Sequence, residues 1–227
     1  MAKPCFSANI RAIGERGQAL LSSSTVGVAG LGGVGGIAFE LLVRAGVGKI
    51  KIAYSGFFEE SNANRQSLWT RENDGRKKAD AAMMFARQVN PGCSISAWGE
   101  ITDGNSGKFA SGCSSVIDAT DTKHSRLAVW DGCRRCGVPY VFASALGSRG
   151  MLTVFRRKDF RKEFALRGKK AGNFLSCDHS LGPVANAIGC LAAQQSINIA
   201  LAKRCQEFPK IISIDAFSKS QLSVHSF

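Results

Sequence analysis

Gly30-Leu31-Gly32-Gly33-Val34-Gly35 has an obvious chemical use, because glycines tolerate positive φ and let backbone N–H groups approach a phosphate. Where such a turn follows a strand and opens a helix, the helix N-terminus adds a favourable partial charge for an anion. The turn is read as a nucleotide's phosphate site or, less informatively, as a structural bend. A dinucleotide fold then asks for an acid about 20 residues on, at the end of the second strand, to bind ribose hydroxyls. Here that place holds Tyr54, followed by Ser55 and Gly56, with Glu59 and Glu60 coming later. An NAD-dependent oxidoreductase is therefore served by the turn and by nothing downstream of it.

The elements that must position this turn follow from periodicity. Residues 9–24 place Ile10, Ile13, Ala19, Leu20 and Leu21 at roughly helical spacing. Residues 25–29 read as a short buried strand entering the glycine turn, 36–45 as a helix ended by Gly46, and 49–54 as an alternating second strand. A helix is predicted over 77–89, stopped by Asn90-Pro91-Gly92, and another over 125–136. Strands are predicted at 93–98, 114–118, 139–143 and 151–155, and closing strands at 210–216 and 221–224. The nearly uncharged stretch 184–202 is a long buried helix. Together these predict an α/β fold, a Rossmann-like doubly wound sheet, mostly parallel with closing antiparallel strands and with helices on both faces. Without repeats or a low-complexity linker, residues 1–227 read as a single nucleotide-binding domain containing a basic loop at 156–175.

Composition sets the partners. A chain of 227 residues with 44% hydrophobic and 21% charged residues buries a substantial core, which excludes wholesale disorder. Its net charge of +13 suits an anionic partner (a nucleotide, an acidic protein or RNA) or else a solvated basic surface. Part of the excess is local, at Arg156, Arg157, Lys158, Arg161, Lys162, Arg167, Lys169 and Lys170, opposed by Asp159 and Glu163. The first residues lack an apolar core of signal-peptide length, and several of the eight cysteines lie in apolar runs, so the reading is a reducing cytoplasm. The apolar stretch 26–47 is broken by glycines, Glu40 and Arg44 and does not read as a membrane span.

Further motifs follow in order: Ser61-Asn62-Ala63-Asn64-Arg65-Gln66, Lys77-Lys78, Asn90-Pro91, Asp118-Ala-Thr-Asp121, and Gly182-Pro183 opening the last long helix. With the glycine turn and Ala45-Gly-Val-Gly48, this series resembles the ThiF/MoeB/ubiquitin-activating-enzyme superfamily from about Gly17 to Phe217. The resemblance implies ATP-dependent adenylation of a carboxylate, often the C-terminal glycine of a ubiquitin-like or sulfur-carrier protein, with release of pyrophosphate. An anion attacks an anion in that reaction, so it needs cations and a metal holder. By position, Arg65 matches the family's phosphate-clamping arginine, Lys78 its phosphate-binding lysine and Asp121 its Mg²⁺-binding aspartate. Ser61, Asn62, Asn64, Gln66 and Thr122 would line the nucleotide site beside Gly30, Gly32, Gly33, Gly35 and Tyr54. Arg11 loosely matches an arginine that the family inserts into its partner subunit's site, which implies a homodimer. On a residue-by-residue view, Arg65 and Lys78 can instead be surface cover and Asp121 a helix cap.

The departures are as informative. Tyr54 stands where the family keeps its ribose-binding aspartate, Gly56 where a second acid is common, and Thr122 where asparagine is usual. Many relatives bind structural zinc through two Cys-x-x-Cys pairs; Cys133-Arg-Arg-Cys136 is the only such pair here, so no zinc is expected. Cys177, beside Asp178 and His179, is either an activated thiol or a structural cysteine. Three functions result. The first is adenylation of a carrier protein or small-molecule acid. The second is a relative of the tRNA threonylcarbamoyladenosine dehydratase, whose polyanionic substrate would suit the basic surface. The third is a catalytically degenerate, partner-binding subunit, suggested by Tyr54.

Overall fold

The computed structural model describes residues 6–165 and 179–227. Its helices are α1 (Ser7–Ser23), α2 (Gly33–Ala45), α3 (Lys78–Val89), α4 (Ser106–Ala110), α5 (Lys123–Cys136) and α6 (Gly182–Ala200). Its strands are β1 (Thr25–Ala29), β2 (Lys49–Ala53), β3 (Ser94–Trp98), β4 (Ser115–Asp118), β5 (Tyr140–Leu146), β6 (Arg149–Phe155), β7 (Lys210–Asp215) and β8 (Leu222–Ser226). One sheet runs in the order β3-β2-β1-β4-β5-β6-β7-β8. The first five of these are mutually parallel and the last three antiparallel. This is the doubly wound α/β sheet with antiparallel closing strands that the periodicity implied.

Burial explains the arrangement. β1 and β4 are buried on both faces, as parallel strands covered by helices are. One core layer joins Phe39 and Leu42 of α2 to Ile188 and Ala192 of α6. The other gathers Phe109, Trp130, Tyr140, Phe155 and Phe160 beneath α4 and α5. α2 and α6 meet so closely that a Cβ on Gly189 would lie 2.4 Å from the Val34 carbonyl oxygen, a contact that admits only glycine. Among the described residues, no helix is long and apolar enough to cross a membrane.

Several boundaries differ from expectation. α2 begins at Gly33 rather than Gly36, because the Gly36 amide already donates to the Gly32 carbonyl at 2.8 Å. The glycine turn's second half is thus the helix's first turn. α1 is interrupted at Gly14, whose φ of +75° is inaccessible to the helix on either side. β5 and β6 extend to Leu146 and Arg149, since they pair as a hairpin that the local pattern does not show. α4 was not anticipated from so short a segment. Within the expected basic loop, Arg161–Ala165 is a helical turn, with Arg161 ion-paired to Asp131 of α5 and Phe160 fully buried. The rest of that loop beyond residue 165, including Arg167, Lys169, Lys170, Cys177 and Asp178, lies outside the described residues, as do residues 1–5.

Candidate functional site

β1 and β4 are neighbours, yet β1 leads into α2 on one face of the sheet and β4 into α5 on the other. The crevice at the carboxyl ends of two such diverging strands is where open α/β sheets bind ligands. A cleft of about 610 Å³ opens there. Gly30 has φ +93°, and a Cβ at this position would lie 2.4 Å from the Ala119 carbonyl oxygen. A Cβ on Gly35 would lie 1.9 Å from the Gly30 carbonyl oxygen, whereas one on Gly32 would meet nothing within 4 Å. Gly30 and Gly35 therefore close the turn, and Gly32 leaves its mouth open. Gly35→Ala is expected to cost about 1–3 kcal/mol by overpacking. Thermal melting checks this, and an unchanged Tm would contradict the close approach.

One wall comes from residues 59–66. Glu59 and Asn62 cap a short 3₁₀ turn reciprocally, the Asn62 side chain accepting from the Glu59 amide and the Glu59 side chain from the Asn62 amide. That turn aims Arg65, whose Nη1 donates to the Ser61 carbonyl at 3.0 Å and to Asn64 Oδ1 at 2.7 Å. Asn64 in turn donates to the Ser180 carbonyl, and a Cβ on Gly182 would lie 2.3 Å from the Asn64 carbonyl oxygen, so the start of α6 buttresses this wall. Gln66 is buried at the cleft, and its Oε1 has no hydrogen-bond partner among the described residues.

Lys78, the first residue of α3, is buried. Its Nζ donates to the Tyr54 hydroxyl at 3.4 Å and sits 4.8 Å from the Tyr54 ring centre and 5.5 Å from that of Phe58. Burial, followed by the Arg65 charge, lowers the Lys78 pKa; burial, followed by Asp121 and Glu59, raises that of Tyr54. An anion beside Nζ would restore the lysine pKa. Affinity for an anion should thus fall as pH rises through the lowered free value toward the bound one. A titration of nucleotide affinity should show this fall, and Lys78→Arg, which stays charged, should abolish it.

The opposite wall grows from a buried network. Asp118, at the end of β4, and Arg126 of α5 are both fully buried and ion-paired at 3.3 Å. The Tyr140 hydroxyl donates to the same carboxylate. Asp118 Oδ1 accepts from the Thr120 amide at 2.9 Å and its hydroxyl at 2.7 Å, which bends the chain so that Asp121 faces the cleft. The cap of α5 is Thr122, which accepts from the Ser125 amide, and not Asp121.

The structure gathers Gly30, Gly32, Gly33, Tyr54, Ser61, Asn62, Arg65, Gln66, Lys78 and Asp121 around one cleft. It does not bring Gly35, Asn64, Thr122 or Arg11 to the lining. Gly35 lies within the turn, Asn64 holds Arg65, Thr122 caps its helix, and Arg11 is exposed on α1. Sequence reasoning missed Arg126, Ile101, Glu100 and Ser144 as lining residues and His179 as one by role. The signal for Arg126 was legible: it occupies the same helical register as Val129, Trp130 and Cys133, an arginine on an apolar stripe. Among the described residues, no group of three or more His, Cys, Asp or Glu side chains is arranged to hold a metal. Cys133 is buried and Cys136 exposed, so the one Cys-x-x-Cys pair does not share an environment.

Comparison with known proteins agrees with this geometry. A family model described as the ThiF family matches residues 6–226. The sulfur carrier protein ThiS adenylyltransferase of Bacillus subtilis is 35% identical over 143 residues, covering 61% of this chain and 42% of that protein. The molybdopterin-synthase adenylyltransferase of Salmonella typhimurium is 28% identical over 213 residues, covering 92% and 86%. The tRNA threonylcarbamoyladenosine dehydratase of Escherichia coli is 34% identical over 159 residues, covering 69% and 59%. A crystal structure of the E. coli dehydratase in complex with ATP aligns at TM-score 0.70 and 25% identity, covering 87% of this chain and 93% of that one. The chain spans less than half the length of several curated relatives that it matches.

Proposed function

From the premise that this chain belongs to the ThiF family, we propose that it is an ATP-dependent adenylyltransferase, one adenylation domain over 1–227 that activates a carboxylate. The observation that carries the reading is the convergence of the open turn at Gly32, the Arg65 and Lys78 cations and the Asp121 carboxylate on a cleft at the sheet's switch point.

The carboxylate oxygen attacks the α-phosphorus of ATP, the bridging P–O bond toward the β-phosphate breaks, and pyrophosphate leaves. Arg65 and Lys78 offset the charge that gathers as two anions meet. The amides of the glycine turn and the α2 N-terminus hold a phosphate by hydrogen bonding and dipole. Asp121 would hold a Mg²⁺ ion, which needs only one or two carboxylates when phosphates complete its shell, and which would supply further neutralisation of charge. Arg11, exposed on α1, would serve a second copy of the chain in a homodimer.

The acceptor is the C-terminus of a ubiquitin-like or sulfur-carrier protein, or a small-molecule acid. Isotope exchange between pyrophosphate and ATP tests the reading, with carriers from the same genome supplied in turn. Exchange that appears only with a cognate carboxylate supports it, and absence of exchange with every carrier and acid overturns it.

A second reading, tRNA as the substrate, is favoured by the 34% identity to the tRNA threonylcarbamoyladenosine dehydratase of E. coli, and the +13 chain has a basic surface that a polyanion could also touch. Arg134, Arg157, Lys158, Arg204 and Lys210 are exposed at the sheet end opposite the cleft, and none of these has a carboxylate at ion-pair distance among the described residues. A mobility shift with tRNA at low salt, weakening steeply as salt is added, would support it. No shift at low salt would remove it.

A further inference from the structure

The two departures at the end of β2 are physically one. A Cβ on residue 56 would lie 2.5 Å from the Tyr54 ring, so the ring can lie where it does only because residue 56 is glycine. That ring, at the cleft wall, occupies the place at which a dinucleotide fold offers a carboxylate to sugar hydroxyls. Its hydroxyl already accepts from Lys78 Nζ, and its face is covered by the same ammonium. Glu59, the nearest acid along the chain that reaches the cleft, is committed to capping the turn at Asn62. Glu60 points away to Arg71, at 4.0 Å, and is not part of the lining. Asp121 stands across the cleft, beyond the end of β4, and Glu100, just past β3, is exposed at the cleft's rim.

Resting on the nucleotide reading above, we propose that Tyr54 and Gly56 relax sugar recognition, so that the site binds 2′-deoxyadenosine and adenosine triphosphates with similar affinity. The reason is what happens when the hydroxyl is missing. A site whose buried carboxylate waits for a sugar hydroxyl rejects the analogue lacking it, because the acceptor is left without a partner. Here the Tyr54 oxygen can keep one N–H of Lys78 in either case, the ammonium's other two donors serving the phosphates, and the ring face away from Lys78 is apolar. The loss is then at most that of one neutral hydrogen bond, which is about tenfold in affinity.

Calorimetry on the full chain with Mg-ATP and Mg-2′-deoxyATP reads the ratio of dissociation constants directly, without any turnover. A ratio within about tenfold is expected. Tyr54→Phe, which keeps the ring and removes the oxygen, should leave that ratio within about threefold of the parent value. A preference for ATP above about 100-fold would overturn the inference. If Glu59→Gln or Glu100→Gln then erased that preference, the ribose reader would be that acid. Failure of both nucleotides to bind would overturn the nucleotide reading and this inference with it, a result distinct from binding with strong ribose selectivity.

Discussion

Arg65→Ala is expected to lower carboxylate-dependent pyrophosphate exchange by roughly 10²–10³-fold, the usual effect of deleting one preorganised charge-stabilising donor. The guanidinium's own bonds are local, to the Ser61 carbonyl and Asn64 Oδ1, so its removal leaves no buried charge behind. Thermal melting should accordingly shift by only about 2–4 °C, equivalent to roughly 1 kcal/mol in a chain of this size. Arg65→Lys should recover part of the rate and not all of it, because an ammonium lacks the planar fork that engages two phosphate oxygens together. Asn64→Ala should fall between, since Asn64 restrains the arginine without lining the cleft. A rate that survives Arg65→Ala unchanged would detach Arg65 from the chemistry and reduce it to cover for the turn at Gly33, which its side chain approaches closely.

How far the sequence revealed this site depends on which interaction places each residue. The glycine turn was legible because its constraint is local: backbone conformation at Gly30 and close approach at Gly35 both demand the absence of a Cβ. Strand β1 was legible because burial on both faces writes a nearly continuous apolar run, and β4 by its Val116-Ile117 pair. The boundary between turn and helix was not, since glycine's weak helix propensity suggests a later start than the 2.8 Å bond from Gly36 to Gly32 imposes. Nor was the far wall. Asp118 and Arg126 meet only after α5 folds back over β4, and nothing in their spacing announces an ion pair. What the sequence does carry is an arginine in the buried register of α5. Its isolation among apolar neighbours is the cue that a carboxylate must be waiting in the sheet.

Asp118→Ala should therefore be the most destabilising single replacement near the site. It would leave the fully buried Arg126 without the carboxylate that offsets its charge, at a cost of about 3–5 kcal/mol, or roughly 10 °C in Tm. It would also strip the Tyr140 hydroxyl of its acceptor, a group whose pKa burial and then Asp118 itself hold well above the ordinary value. Stability and function can be separated here. Replacing the set with apolar residues, Asp118→Leu with Arg126→Met and Tyr140→Phe, removes the buried charge and the Tyr140 hydroxyl together and should restore most of the melting temperature. It cannot restore the two bonds from Thr120 to Asp118 that turn Asp121 toward the cleft. The triple variant should thus melt near the parent protein yet bind Mg-ATP at least about tenfold more weakly, the worth of one charge-assisted bond. Melting and calorimetry on the same preparation decide it: parent-like binding in a stable triple variant would mean that the network only holds the fold. If stability returns and binding does not, this buried charge has been retained for the position of Asp121 rather than for the energy of the pair.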